Sequence, residues 1–439
     1  MTVFVIDIVT LLKARRTQQF MLICAMLFLC RYETKAQFYN GTQQTFGKNR
    51  IQYKEFLWSF YRFETYDVYF YKGGQPHGAF VSKYVPIELA ELEKTLDYKL
   101  DGKVKFIIFN SLEDMKQSNI GIDEEEEMNT AGLTHISGNK IFLYYNGSHE
   151  DLRRQIRSGL AQLLVNQVVY GGDIKDRIQN AAILILPDWY VQGLVSYLTV
   201  KWDASIDDQV RDGIATKRYK KFNKLEGKDA QIAGHAIWAY VAEKYGENSI
   251  PNILYMTRSG RSIDNGFLFV INVSMKTLSK EWFTHYQQKY FYIDLDKAVM
   301  TQRPLVKRPK NLVFSQPRIS ANADHVAYVT NDIGRYKVWV YNATTKRRKV
   351  IMRGNYRSLS HKMDESYPRL DWNPKSNILA IITEKKGNPF LTLYDVGSGR
   401  KEETDMQRFE KVLDFSYSDD GKHFVMSAVQ QGQTDIFVF

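Results

Sequence analysis

The sequence predicts two parts in series, an α+β domain followed by all-β repeats. Three observations carry this. Short β-prone runs alternate with a helical segment between Tyr66 and Tyr145, and from His149 to Tyr245 apolar residues recur at three- and four-residue steps. Beyond residue 312 the period changes to alternation, the signature of half-buried strands. In that second region three units superpose, with Ile319, Leu370 and Phe415 at equivalent points 51 and 45 residues apart.

Residues 1–36 read as a secretory signal: Lys13, Arg15 and Arg16 are its basic region, Phe20 to Cys30 its apolar stretch, and Thr34-Lys35-Ala36 its cleavage site. The apolar run is short for a membrane span. Lipoprotein anchoring and an uncleaved anchor are the alternatives. Cys24 and Cys30 both lie in this segment, so the mature chain would hold no disulfide, thiolate metal site or cysteine nucleophile. Removing the segment takes away five Lys/Arg and two Asp/Glu and lowers the formal charge from +11 to +8. The expected location is the periplasm or the outer-membrane periphery. A basic exported chain points to anionic envelope surfaces or acidic partners and away from nucleic acid. The runs Lys217–Lys221 and Lys346–Lys349 suit such contacts, with a solvated face or hairpin turn as the plainer reading. Hydrophobic residues make up 44% of the 439, enough for packed cores.

The domain of residues 37–299 reads in order. Tyr66–Tyr71 is a strand closed by Gly73-Gly74, residues 79–98 a helix containing Pro86, Val104–Phe109 a second strand and Lys140–Tyr145 a third. Glu124 to Glu127 read as a solvated loop, because consecutive acids do not converge on one calcium ion. Ser148 caps a helix starting at His149, with acids suiting the dipole of its first turn, and Gly171-Gly172 ends it. Leu152, Ile156, Leu160 and Leu163 mark its buried face. Pro187-Asp188-Trp189 opens the next helix, and Gly246 closes one that contains Gly234 to Tyr245. His135 and His235 read as structural histidines. Residues 247–292 look helical, and 300–312 read as an exposed linker to the second part, 313–439.

The stretch from His149 to Tyr197 resembles the gluzincin metallopeptidases, in which one helix carries His-Glu-x-x-His and the next a Pro-x-Trp-x-x-Glu-Gly-x-x-x-Tyr pattern. Phe46–Tyr53 resembles the lead-in to the same domain. The resemblance places the first His, the Glu and the second His on Ser158, Gly159 and Gln162, and the later Glu on Gln192. Neutral hydroxyl and amide groups are weak ligands for zinc, and Gly159 has no side chain to act as the general base. The candidate cleft is Ser158, Gln162, Trp189, Gln192 and Tyr197, with no catalytic residue, metal or cofactor expected.

The repeats carry the turns Asn373-Pro374-Lys375-Ser376 and Ser418-Asp419-Asp420-Gly421. They resemble TolB-like and WD40-like β-propellers, with about three blades, the third stopping on its third strand. Gly397-Ser398-Gly399-Arg400-Lys401 imitates a phosphate loop, but no helix pattern follows it, so it reads as a hairpin turn. No Gly-x-Ser-x-Gly elbow occurs.

The fold class expected is therefore a gluzincin-like α+β domain followed by propeller blades. The expected function is a non-catalytic binding or scaffold protein of the bacterial cell envelope whose partner is an envelope or secreted protein or peptide, with peripheral contact to the outer membrane open and oligomeric state unassigned. One alternative is a zinc metallopeptidase with displaced ligands, His149, Glu150 and His235. Another places all function in the propeller and treats the first domain as a spacer.

Overall fold

The computed structural model describes residues 52, 54–118, 135–137, 139–172, 184–294, 304–306, 312–357 and 364–439. The signal segment with both cysteines, the Glu124–Glu127 run and most of the linker lie outside the described residues.

Five strands form a mixed sheet in the order β1-β2-β3-β5-β4, made of β1 (Ser59–Arg62), β2 (Tyr66–Phe70), β3 (Val104–Phe109), β4 (His135–Ser137) and β5 (Lys140–Tyr144). The inner three are parallel and the two edges antiparallel. Buried on both faces, β3 shows the continuous apolar run that parallel strands require, with Phe106 to Phe109 fully enclosed. The three strands read from sequence are these inner ones. The edges lacked a signal because β1 is largely exposed and β4 has three residues.

Helix α1 (Gln75–Leu96) starts four residues before the expected 79 and ends two before 98. Pro76 in its first turn has no N–H to leave unpaired, and Asp97 in the left-handed region stops it; Pro86 lies inside. After the short α2 (Leu112–Lys116) comes α3 (His149–Tyr170), where the Ser148 side chain accepts from the Asp151 amide and Gly171 at φ 101° ends the helix. The chain continues through α4 (Asp188–Thr199), α5 (Ala204–Ala215), a 3-10 turn (Arg218–Lys224), α6 (Gly227–Tyr245), α7 (Ser249–Gly260), α8 (Ile263–Ile271) and α9 (Met275–Asp294). One apolar core runs from Tyr66 on β2 to Tyr290 on α9.

Three antiparallel sheets follow. The first holds β6 (Val313–Ile319), β7 (His325–Asp332), β8 (Arg335–Asn342) and β9 (Arg348–Gly354). The second holds β10 (Arg369–Trp372), β11 (Ile378–Lys385), β12 (Asn388–Asp395) and β13 (Lys401–Asp405). The third holds β14 (Lys411–Tyr417), β15 (Phe424–Gln430) and β16 (Gln433–Val438). Each up-and-down sheet packs on the next through its own apolar layer. Their first strands are laced by side chains: Arg318 Nε donates to Leu370 O, Trp372 Nε1 to Arg318 O, and the Tyr417 amide to Asp371. Gly397 to Lys401 turn between β12 and β13, with Asp395 Oδ1 accepting from two turn amides. The run from Lys346 forms the β8–β9 hairpin.

Candidate functional site

The sequence places its candidate site where α3 meets α4. Two glutamines hold α3 against the rest of the domain. Gln155 accepts from the Tyr144 amide and donates to the Tyr144 carbonyl, at 3.0 and 2.8 Å. Gln167 does the same at Asp101, at 2.8 Å for both bonds. A buried amide that satisfies both backbone groups of one residue acts as a neighbouring strand would, so the helix completes hydrogen bonds where the sheet runs out.

Between these clamps lie the positions of the zinc pattern. Ser158 is fully buried, and a Cβ at Gly159 would sit 2.6 Å from Ile141 Cγ2 on β5. Gln162 is buried and donates to Asn166 Oδ1 at 3.0 Å. On α4, Trp189 is enclosed against Phe222, with ring centroids 4.4 Å apart, and Tyr197 is buried with its hydroxyl 3.5 Å from Glu247. Gln192 alone of the five is half-exposed. The structure therefore corrects the expected cleft. Ser158, Gln162, Trp189 and Tyr197 are core residues, because α4 closes down onto α6 at two glycines. A Cβ on Gly234 would lie 2.0 Å from Trp189 O, and one on Gly193 2.4 Å from the Gly234 backbone.

The frame is further tied by ion pairs. Glu88 of α1, buried, receives Arg153 and Arg157 of α3 at 2.6 and 2.7 Å, and Arg157 also donates to Leu198 O at the end of α4. The displaced-ligand set is not assembled. His235 is enclosed, its Nδ1 2.9 Å from Ser196 Oγ and its Nε2 2.8 Å from Lys201 O, and burial lowers it to about 4. Glu150 pairs with Arg154 on the exposed face of α3. Among the described residues no group of three His, Cys, Asp or Glu is placed to hold a metal.

Sequence reasoning missed a second group, where the helical domain meets the third sheet. Leu413 packs on Gly147, Thr434 Oγ1 donates to Gly147 O at 3.0 Å, and Val429 joins the main core. His77 lies here fully enclosed, its ring 4.2 Å from that of Tyr145, and neither ring nitrogen has a partner. Burial, with the His149 charge adding to it, lowers His77 to about 4. The Tyr145 hydroxyl lies 3.3 Å from His149 Nδ1 and 3.1 Å from Thr434 Oγ1. Burial also raises Glu410, whose carboxylate accepts from the Gly432 amide. Burial and the neighbouring Glu113 and Asp364 carboxylates push Glu384 well above the usual range. Asp364 stays below that range despite its burial, because the Lys411 ammonium lies 2.6 Å away. Acids and two histidines spread from residue 77 to residue 410 give no local pattern, so only the fold could have found them.

No protein-family model matches the chain, and no curated protein matches it. Its neighbours among solved structures are TolB-like and other β-propeller proteins. TolB from Acinetobacter baumannii is 18% identical at TM-score 0.24, over 29% of this chain and 29% of that one. The β-propeller domain of the Trilobed protease from Pyrococcus furiosus is 11% identical at TM-score 0.22, over 30% and 45%. An oligogalacturonate lyase from Vibrio parahaemolyticus is 13% identical at TM-score 0.23, over 31% and 38%. The chain spans less than half the length of each. Scores this low bear on neither activity nor partners, and the description of the blades rests on their own strand order and registers.

Proposed function

We propose that this chain is a non-catalytic binding or scaffold protein of the bacterial cell envelope, built from a gluzincin-like domain that has lost its metal chemistry and a set of propeller blades. The observation that carries the reading is the packing at Gly159. The position that the resemblance gives to the general base lies against Ile141 with no room for a side chain, and its neighbours Ser158 and Gln162 are part of the same closed core. A proton-abstracting carboxylate needs both a side chain and reach to a bound water, and neither is available there. Among the described residues β1 is an exposed edge strand, an element of the kind that takes up extended peptide segments. The core shared through Val429 and Leu413 favours a domain and blades that act together over a loose spacer.

The test is metal content. The purified mature chain, exposed to equimolar zinc and desalted, is expected to retain none in stoichiometric amount. One zinc per chain, with chelator-sensitive peptide cleavage, would overturn the reading in favour of displaced ligands.

A further inference from the structure

The helical hairpin α7–α8 presents exposed apolar side chains that no packed element covers among the described residues. Helix α8 contains Ile263, Phe267, Leu268, Phe269, Val270 and Ile271 in nine residues, yet only Gly266 and Phe267 are buried. Leu268 and Phe269 are 43% and 65% exposed, and Tyr255 on α7 is 67% exposed. Ile263, Val270 and Ile271 pack against the main core, so the exposed apolar side chains of the hairpin are Leu268, Phe269 and Tyr255, large enough together to mark an interaction site.

The charges around it name the occupant. Arg261, in the turn between the two helices, is exposed, as are Lys276 and Lys280 on the first turns of α9, which starts four residues after α8 ends. Lys280 borders an open groove of about 490 Å³ between α6 and α9, lined also by Thr277, Thr284 and His285. Of the acids nearby, Asp264 accepts from the Met275 amide and Glu281 is paired with Lys244 at 2.7 Å. The face thus combines an aromatic and aliphatic wedge with a cationic rim, the arrangement by which monotopic proteins sit in a headgroup layer. Without residues 1–36 the chain carries a formal charge of +8, of the sign that an anionic surface attracts.

We propose that this face docks on an anionic lipid surface, with Tyr255, Leu268 and Phe269 entering the headgroup layer and Arg261, Lys276 and Lys280 facing lipid phosphates. The inference is independent of whether the α3–α4 frame is catalytic.

Cosedimentation of the full chain with vesicles tests it. Binding is expected to phosphatidylcholine vesicles that contain phosphatidylglycerol, to weaken with added salt, and to be much weaker for phosphatidylcholine alone. Leu268→Ser with Phe269→Ser should lower partitioning more than about tenfold, and Lys276→Gln or Lys280→Gln about fivefold each, one surface cation contributing about 1 kcal/mol. Hydrogen exchange on the unaltered chain gives a reading free of variants: anionic vesicles should protect α8 and leave α3 unchanged. The proposal fails if neutral vesicles bind equally well, if neither the serine variant nor α8 protection responds, or if the face proves to mediate a dimer that the serine variant abolishes.

Discussion

The α3–α4 frame and the junction between the helical domain and the third sheet each bury a histidine, and they treat it differently. In the frame, His235 has a partner on both nitrogens, and Gln155 on α3 satisfies both backbone groups of Tyr144 on β5. At the junction, His77 is as deeply enclosed and has none. Both are lowered to about 4, chiefly by burial. Equal shifts therefore conceal unequal roles. One imidazole is hydrogen-bonded to Ser196 and Lys201, whereas the other has no hydrogen-bond partner and packs against the Tyr145 ring, its protonation opposed by burial and by the His149 charge.

The sharpest test of the frame is Gly234→Ala. Backbone atoms of Trp189 and Gly193 would face the new methyl and cannot move aside as side chains do, so a loss of about 3 kcal/mol or more is expected in denaturant unfolding. Gln155→Ala should follow at about 2–3 kcal/mol, since it removes two buried hydrogen bonds to the Tyr144 backbone. If it proves neutral, the clamp is decoration and the frame is held by apolar packing alone.

The histidines separate the two regions directly. At pH 7.5, His235→Phe should destabilise by about 2 kcal/mol, because Ser196 and Lys201 O lose their partner, while His77→Phe should lie within about 0.5 kcal/mol of the native chain. A base whose folded value is depressed contributes its stability fully above its ordinary value near 6.5, and loses it as pH falls from there toward 4. Each histidine should therefore cost about 2 kcal/mol by pH 5. His77→Phe should remove its share of that acid sensitivity, read from melting temperature against pH; an unchanged profile would mean that the junction opens before His77 is charged. The smallest effect is expected at Gln192→Ala, under about 0.5 kcal/mol, because this position is half-exposed. A large loss there would show that α4 depends on a half-exposed position for its stability.

Much of the architecture was legible because its signals are local. The helix from His149 shows its Ser148 cap, its apolar period and its Gly171 stop within one stretch of chain, and the Asn373 and Ser418 turns mark successive sheets. The frame's chemistry was legible as a set of residue types, but its burial was not. Whether Ser158 and Trp189 border a groove or a core depends on how closely α4 approaches α6, and that distance is set by two glycines on different helices.

The sequence by itself determined the inner strands of the first sheet, the cap and stop of the helix from His149, and which residues stand at the zinc-pattern positions, since periodicity, caps and side-chain chemistry belong to neighbouring residues. Only the tertiary structure decided that Gly159 lies on Ile141, that His235 is satisfied by Ser196 and Lys201, and that His77 meets Gly432 with no hydrogen-bond partner on either ring nitrogen. Those facts depend on contacts between segments far apart in the chain, and a buried group's energy is fixed by the atoms that surround it.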